Sequence, residues 1–327
     1  MTQPHWSTIL SGMMISPQDL SSKCQLNLET MTEANKAFPL RVPQRWLSKI
    51  PPGDSTHPLL KQILPSSTEL LSTPGYTEDA LQESNVNHAT GLLHKYHRRV
   101  LLLASPACAI HCRYCFRRHF PYHENQPKQS DWDSTLNYIR ENKSIHEVIL
   151  SGGDPLMLKQ TQLNALVEQI DAIPHVHTLR FHSRMPVVLP ERIDDAFLQL
   201  MQSIRCKIVM VIHSNHPLEL DDDVKGALTQ LRDYKVHLLN QSVILKGVND
   251  NQEALLSLSQ RLWACHTLPY YLHMPDKVAG TAHFDVSLEK ATQLVQFLSE
   301  HLPGYLVPKL VQEVPGALAK QNVNLSE

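Results

Sequence analysis

Cys108, Cys112 and Cys115 are the residues whose types and spacing most directly imply chemistry. They stand in the run Cys108-Ala109-Ile110-His111-Cys112-Arg113-Tyr114-Cys115, a C-x3-C-x2-C spacing. Three thiolates can hold a four-iron, four-sulfur cube and leave one iron without a protein ligand. An open iron is a place where a substrate can bind the cluster directly. A zinc knuckle is the competing interpretation, but it would normally add a fourth Cys or His at short spacing, and no second tight Cys pair follows. A second motif, Ser151-Gly152-Gly153-Asp154-Pro155, offers paired glycines. Glycines let a backbone approach a ligand closely, although an ordinary strand-to-helix turn would read the same way.

Both motifs directly follow short apolar runs, and these runs belong to a series. Val100–Leu103, Val148–Leu150, Leu179–His182, Ile208–Ile212, Val236–Val243 and Tyr270–Leu272 read as strands. Between them lie helical patterns at Trp132–Glu141, Leu163–Ile170, Ala196–Met201, Val224–Leu231 and Ala254–Trp263. Strand-helix alternation predicts a parallel sheet, as an incomplete barrel or a long open sheet. In such folds chemistry gathers at the carboxyl ends of the strands, where both motifs fall. Residues 1–90 read instead as short helices broken by proline, a layer that wraps the core of residues 91–300. Residues 301–327 carry Pro303, Pro308 and Pro315 and read as extended or looped.

The chain has 327 residues, 42% of them hydrophobic, which suits one large globular domain with an extension. Its net charge of -2 gives no basic field for nucleic acid. No run of eighteen apolar residues marks a membrane span, and the first residues show no export signal. A cytoplasmic, reducing location is expected, with the six cysteines free or bound to metal. Cys24, Cys206 and Cys265 are scattered, outside any metal-ligand spacing.

The cysteine spacing resembles the signature of the radical S-adenosylmethionine superfamily. The resemblance implies a partial (β/α)6 barrel with an N-terminal helical extension and a C-terminal segment that binds pyridoxal 5'-phosphate. In that superfamily the open iron chelates the amino and carboxylate groups of S-adenosylmethionine, and electron injection releases a 5′-deoxyadenosyl radical. Tyr114 then matches the residue that touches adenine, and Ser151, Gly152, Gly153 and Asp154 match the loop for the methionine amino group. His213 and Gln241 join the same set. The resemblance sharpens to the lysine 2,3-aminomutase family from about Phe38 to Lys320. Its carrying stretches are Pro58-Leu59-Leu60-Lys61-Gln62, His94-Lys95-Tyr96, Arg117-Arg118, His213-Ser214-Asn215-His216-Pro217, Asn240-Gln241-Ser242-Val243, Lys246-Gly247-Val248-Asn249-Asp250 and Pro269-Tyr270-Tyr271-Leu272-His273.

Membership of that family implies pyridoxal phosphate as well as a [4Fe-4S] cluster. The cofactor-bonding lysine matches Lys320 in Pro315-Gly316-Ala317-Leu318-Ala319-Lys320, where the family's run of glycines is reduced to one. Lys309 is the alternative. Lys95 and Arg99 match the phosphate-binding cations, and two cations flanking one phosphate is physically sound. Arg117 matches the residue for the substrate carboxylate. Asp276 and Glu313 match the pair of acids that takes the ε-ammonium of L-lysine, a pair that would repel an acidic side chain. At the second of these positions the family has aspartate.

The chain ends seven residues after Lys320, and it resembles the short branch that makes (R)-β-lysine for translation elongation factor P. That resemblance implies a functional link to elongation factor P and its lysyl ligase, and an external electron donor such as flavodoxin. The alternatives are a free-lysine aminomutase feeding a β-lysine pool, and a cluster-bearing protein without radical chemistry.

Overall fold

The computed structural model describes residues 5–12, 16–83, 87–89, 91–122 and 132–323. Its centre is a ten-stranded sheet in which the strands follow one another in chain order. The strands are β1 (Asn87–Ala89), β2 (Leu92–Tyr96), β3 (Arg99–Ser105), β4 (Glu147–Gly152), β5 (Thr178–Ser183), β6 (Lys207–His213), β7 (His237–Val243), β8 (Leu268–His273), β9 (Lys309–Gln312) and β10 (Gln321–Asn322). The pairs from β3 to β9 are parallel, and both ends of the sheet finish in antiparallel pairs. This is the expected partial barrel. The six strands read from the sequence are β3 to β8. The structure adds β1 and β2 before them and β9 and β10 after them.

Helices return the chain between parallel strands, and their starts are written in the sequence. Asp194, Asp221, Asn251 and Ser287 each accept a backbone N–H at the start of helices Asp195–Ser203, Asp222–Asp233, Gln252–Ala264 and Leu288–His301. Such side chains satisfy N–H groups that have no partner within the helix. The last of these helices was not among those read from the sequence. Each helix turns an apolar stripe to the sheet, for example Leu163, Leu166, Val167 and Ile170 of helix Gln160–Asp171.

The N-terminal layer holds helices Trp6–Gly12, Pro17–Cys24, Glu29–Ala37, Gln44–Ser48 and Pro58–Lys61. Pro17 and Pro58 sit at helix starts, where proline's missing N–H costs nothing. Trp6, Trp46, Leu59 and Leu60 share one hydrophobic core with Leu102, Val148 and Met210 of the sheet. The core therefore runs across the expected boundary near residue 90, and β1 lies on the N-terminal side of it. A second cluster, including Leu272, Leu294, Leu298 and Leu310, packs helix Leu288–His301 against β8 and β9. Among the described residues no helix is long and apolar enough to cross a membrane.

Candidate active site

Residues 106–122 follow β3 and carry the three cysteines. The N–H groups of Gly153 and Asp154 donate to the carbonyls of Ser105 (2.7 Å) and Ala107 (2.8 Å). Gly152 has φ +118°, and a Cβ there would lie 2.5 Å from the Ser105 carbonyl oxygen; one on Gly153 would lie 2.6 Å from that of Ala107. The paired glycines are thus required by close backbone packing between the two loops. That gives them a physical reason different from the ligand approach suggested by the sequence.

The N-terminal layer straps the same loop from the other side. His111 N–H donates to the Arg41 carbonyl at 2.8 Å, and Arg113 N–H to that of Gln62 at 2.9 Å. The fully buried Arg113 side chain pairs with Glu69 and donates to the Phe38 carbonyl at 2.6 Å. Arg118 donates to the same Glu69 at 2.7 Å. Breaking such a buried pair by removing one partner is strongly destabilising, so these contacts fix the loop.

The three thiols line one cavity of about 730 Å³. Burial, then the neighbouring thiols, pushes Cys108 up, and burial pushes Cys115 up to about 11. Binding iron as thiolates must therefore displace protons. Among the described residues no three Cys, His, Asp or Glu side chains converge as ligands of a single metal ion. A four-iron cube is larger than one ion and takes each thiolate at a separate corner, so this donor set suits a cluster. Arg184, just past β5, donates to Cys112 Sγ at 2.7 Å and to Glu219 at 3.0 Å. The sequence reading missed Arg184, although its place at the carboxyl end of the third expected strand was a signal for it.

All the residues expected to touch S-adenosylmethionine line the same cavity. The Tyr114 hydroxyl accepts from Asn215 Nδ2 at 2.7 Å and lies 2.8 Å from His213 Nε2, with the two rings stacked. Gln241 sits near the end of β7, and Ser151 and Gly152 near the end of β4. Asp154 is occupied internally: its carboxylate accepts from Ser183 Oγ at 2.8 Å and from the N–H groups of Leu156, Arg184 and Met185. Burial nevertheless holds its carboxyl up at about 6.

The same cavity also carries the charges. Arg117 Nε and Nη2 donate to the two oxygens of Glu83 at 2.7 and 2.8 Å, and Nη1 lies 3.3 Å from both Ser151 Oγ and the Gly152 carbonyl. Glu83 had no motif to mark it in the sequence. The β2–β3 hairpin sets Tyr96 opposite Arg99, with Arg98 at φ 68° in its turn, and Lys95 and Arg99 both line the cavity. The β9–β10 hairpin brings in Glu313 and Lys320. Glu313 accepts from Lys320 at 2.5 Å, Tyr96 at 3.0 Å and Lys95 at 3.4 Å. Lys309 also lines the cavity but is exposed, whereas the Lys320 side chain is 22% exposed, with its ammonium on Glu313.

Two histidines and one acid complete the wall. Burial, then nearby cations, pushes His182 far down and His273 to about 3, so both are neutral. His182 Nε2 is buried with no hydrogen-bond partner among the described residues. Asp276 is pushed up to about 7, first by burial and then by the nearby Glu313 carboxylate. One cavity is thus lined by three thiols, a lysine, further cations and acids.

Comparison with known proteins shows the chain's family. The model of the Radical SAM superfamily matches residues 102–258. The L-lysine 2,3-aminomutase of Haemophilus influenzae is 44% identical over 317 residues, covering 96% of this chain and 94% of that protein. The protein of the same name from Escherichia coli is 43% identical, covering 98% and 94%. The one from Clostridium subterminale is 33% identical, covering 90% and 71%.

Proposed function

The chain belongs to the L-lysine 2,3-aminomutase family of radical S-adenosylmethionine isomerases, and from that premise we propose that it converts L-lysine to (R)-β-lysine with pyridoxal phosphate as second cofactor. One observation carries the proposal. A single cavity is lined by Cys108, Cys112 and Cys115, by Lys320 with Lys95 and Arg99, and by Arg117 and Asp276. Three cofactors and an amino acid that must meet need one shared, enclosed space.

When bound, the cluster and S-adenosylmethionine would supply a carbon radical, and pyridoxal phosphate would give the migrating nitrogen the π character that a neighbouring radical needs. The protein's own part is placement. Cys108, Cys112 and Cys115 would hold three irons, and the glycine-locked loop holds the cysteines. Lys320 would bond pyridoxal phosphate, and Lys95 and Arg99 would take its phosphate. Glu83 takes one edge of the Arg117 guanidinium and Ser151 Oγ and the Gly152 carbonyl take Nη1, which leaves one Nη2 N–H for the substrate carboxylate. The acidic wall of Asp276 and Glu313 suits the ε-ammonium. A lysine held at both ends presents one Cβ hydrogen to the radical source, so a single enantiomer should form. The cavity walls would shield the radical from water once the cofactors and substrate fill the space.

The finer reading is that β-lysine is made in the cytoplasm from free lysine, with electrons from a donor such as flavodoxin, and passed to a ligase acting on elongation factor P. The decisive experiment is anaerobic incubation with L-lysine, S-adenosylmethionine, pyridoxal phosphate and a reductant, resolved by chiral chromatography. One β-lysine enantiomer, dependent on pyridoxal phosphate, is expected; no β-lysine overturns the reading. Deleting the gene should lower the mass of elongation factor P by the modification. An unchanged, fully modified factor would instead assign the product to a free β-lysine pool.

A further inference from the structure

Arg184 stands just past β5 and reaches the cysteine loop from inside the fold. Its Nη1 donates to Cys112 Sγ at 2.7 Å. Its Nη2 donates to Gln62 Oε1 at 2.7 Å and to Glu219 Oε2 at 3.0 Å. The guanidinium lies 4.8 Å from the Trp46 ring centroid and 5.8 Å from that of Tyr114. Arg184 and Glu219 are both buried, so water does little to screen the pair.

The anchors of this guanidinium do not depend on the cysteine. Glu219 Oε1 accepts from the N–H groups of Asn215 and His216 at 3.0 and 3.1 Å, and from Gln62 Nε2 at 3.0 Å. The Arg184 backbone N–H donates to Asp154 at 2.8 Å. Backbone, acid, amide and aromatic ring therefore hold the guanidinium in place whether the thiol is free or on iron.

We infer that Arg184 is a positioning residue of the cluster, which donates to the Cys112 sulfur on iron and raises the potential at which the cluster accepts its electron. The inference rests on the cluster reading above and assigns a residue to its electron-uptake step.

Three physical points support it. A thiolate on iron keeps lone pairs and negative charge, so the bond from the guanidinium is charge-assisted. Net charge and hydrogen bonds to the sulfurs set the potentials of iron–sulfur clusters. Reduction brings one electron from an external donor onto the cluster and makes it more negative. A cation donating to a cluster sulfur therefore stabilises the reduced form more than the oxidised one. Glu219 has the opposite effect on the charge: it fixes the guanidinium and also offsets part of its field. Removing the acid while Arg184 stays in place should therefore raise the potential further.

The test rebuilds the cluster in the full chain and follows its reduction by dithionite in a potentiometric titration read by electron paramagnetic resonance, without S-adenosylmethionine. Arg184→Met should lower the ratio of reduced to oxidised cluster at a fixed potential roughly tenfold, as for a lost hydrogen bond to a charged group. That is a midpoint about 59 mV more negative for one electron, with native iron content. Glu219→Gln keeps the oxygen that accepts from Asn215 and His216, and its midpoint should move the other way. The double variant Arg184→Met with Glu219→Gln removes the buried pair together and leaves no lone charge. It should titrate below the native chain, and it carries the test if Arg184→Met does not fold. A native midpoint in Arg184→Met or in the double variant overturns the inference. So does a Glu219→Gln midpoint that falls with that of Arg184→Met, or a shift seen only with S-adenosylmethionine bound. A native chain that assembles no four-iron cluster overturns the cluster reading itself.

Discussion

The cysteine loop and the lysine hairpin both line one cavity, and the fold holds them in different ways. Residues 106–122 lie between β3 and β4 at the sheet's interior, strapped by the N–H groups of Gly153 and Asp154, which donate to the Ser105 and Ala107 carbonyls, and by the buried Glu69–Arg113 pair. Residues 309–323 form the last hairpin, at the sheet's edge, where Val314 and Leu318 are exposed. The first region is fixed by contacts with β3, β4 and the N-terminal layer. The second is fixed locally by the contacts of Glu313 with Lys320, Lys95 and Tyr96. A cluster must be held rigidly by preset ligands, whereas a lysine that bonds and releases a cofactor needs freedom to move.

This contrast is tested most strongly at the cysteines. Replacing Cys108, Cys112 or Cys115 by Ala should remove the cluster absorption and abolish turnover, since three thiolates are the minimum ligation for an open-iron cube. Full iron content in any one variant would sink the assignment. At the lysine hairpin, Lys320→Ala should abolish covalent pyridoxal phosphate attachment yet keep normal iron content. Borohydride labelling of Lys309 in the native chain would show the register to be wrong. Between these effects lies the strap: Glu69→Ala should lower stability by about 3–5 kcal/mol, because it leaves Arg113 and Arg118 buried without their acid. Denaturant midpoints check this, and a shift no larger than that of an exposed site would contradict the account.

The two regions should also differ in pH response. Burial and the nearby Glu313 carboxylate push Asp276 up to about 7, so its charge and its pull on an ammonium grow as pH rises through that value. L-lysine affinity should therefore rise as pH increases through about 7, and Asp276→Asn should flatten that rise; calorimetry across the range decides. The smallest effect is expected at the hairpin tip. Leu318 is 89% exposed, and Leu318→Ser should change stability by no more than about 0.5 kcal/mol.

Much of this was legible in the chain because it is local. The C-x3-C-x2-C spacing lies within eight residues, and the alternation of apolar runs and amphipathic stretches gave β3 to β8 in order. Helix caps such as Asp194 and Asn251 act on residues three positions away. What stayed hidden depends on distant segments meeting. The short strands β1, β2, β9 and β10 carry little apolar pattern of their own and exist because a neighbour strand pairs with them. Glu83 bonds Arg117 from 34 residues away, and Lys95 meets Glu313 across 218.

The sequence by itself determined which chemistry the chain can carry, since ligand types and their short spacings are covalent properties. Only the tertiary structure decided which charges meet. The register of the β9–β10 hairpin sets Glu313 opposite Lys320, and the fold brings Asp276 near Glu313 in the same cavity wall, because strand pairing and desolvation are set by the folded chain as a whole.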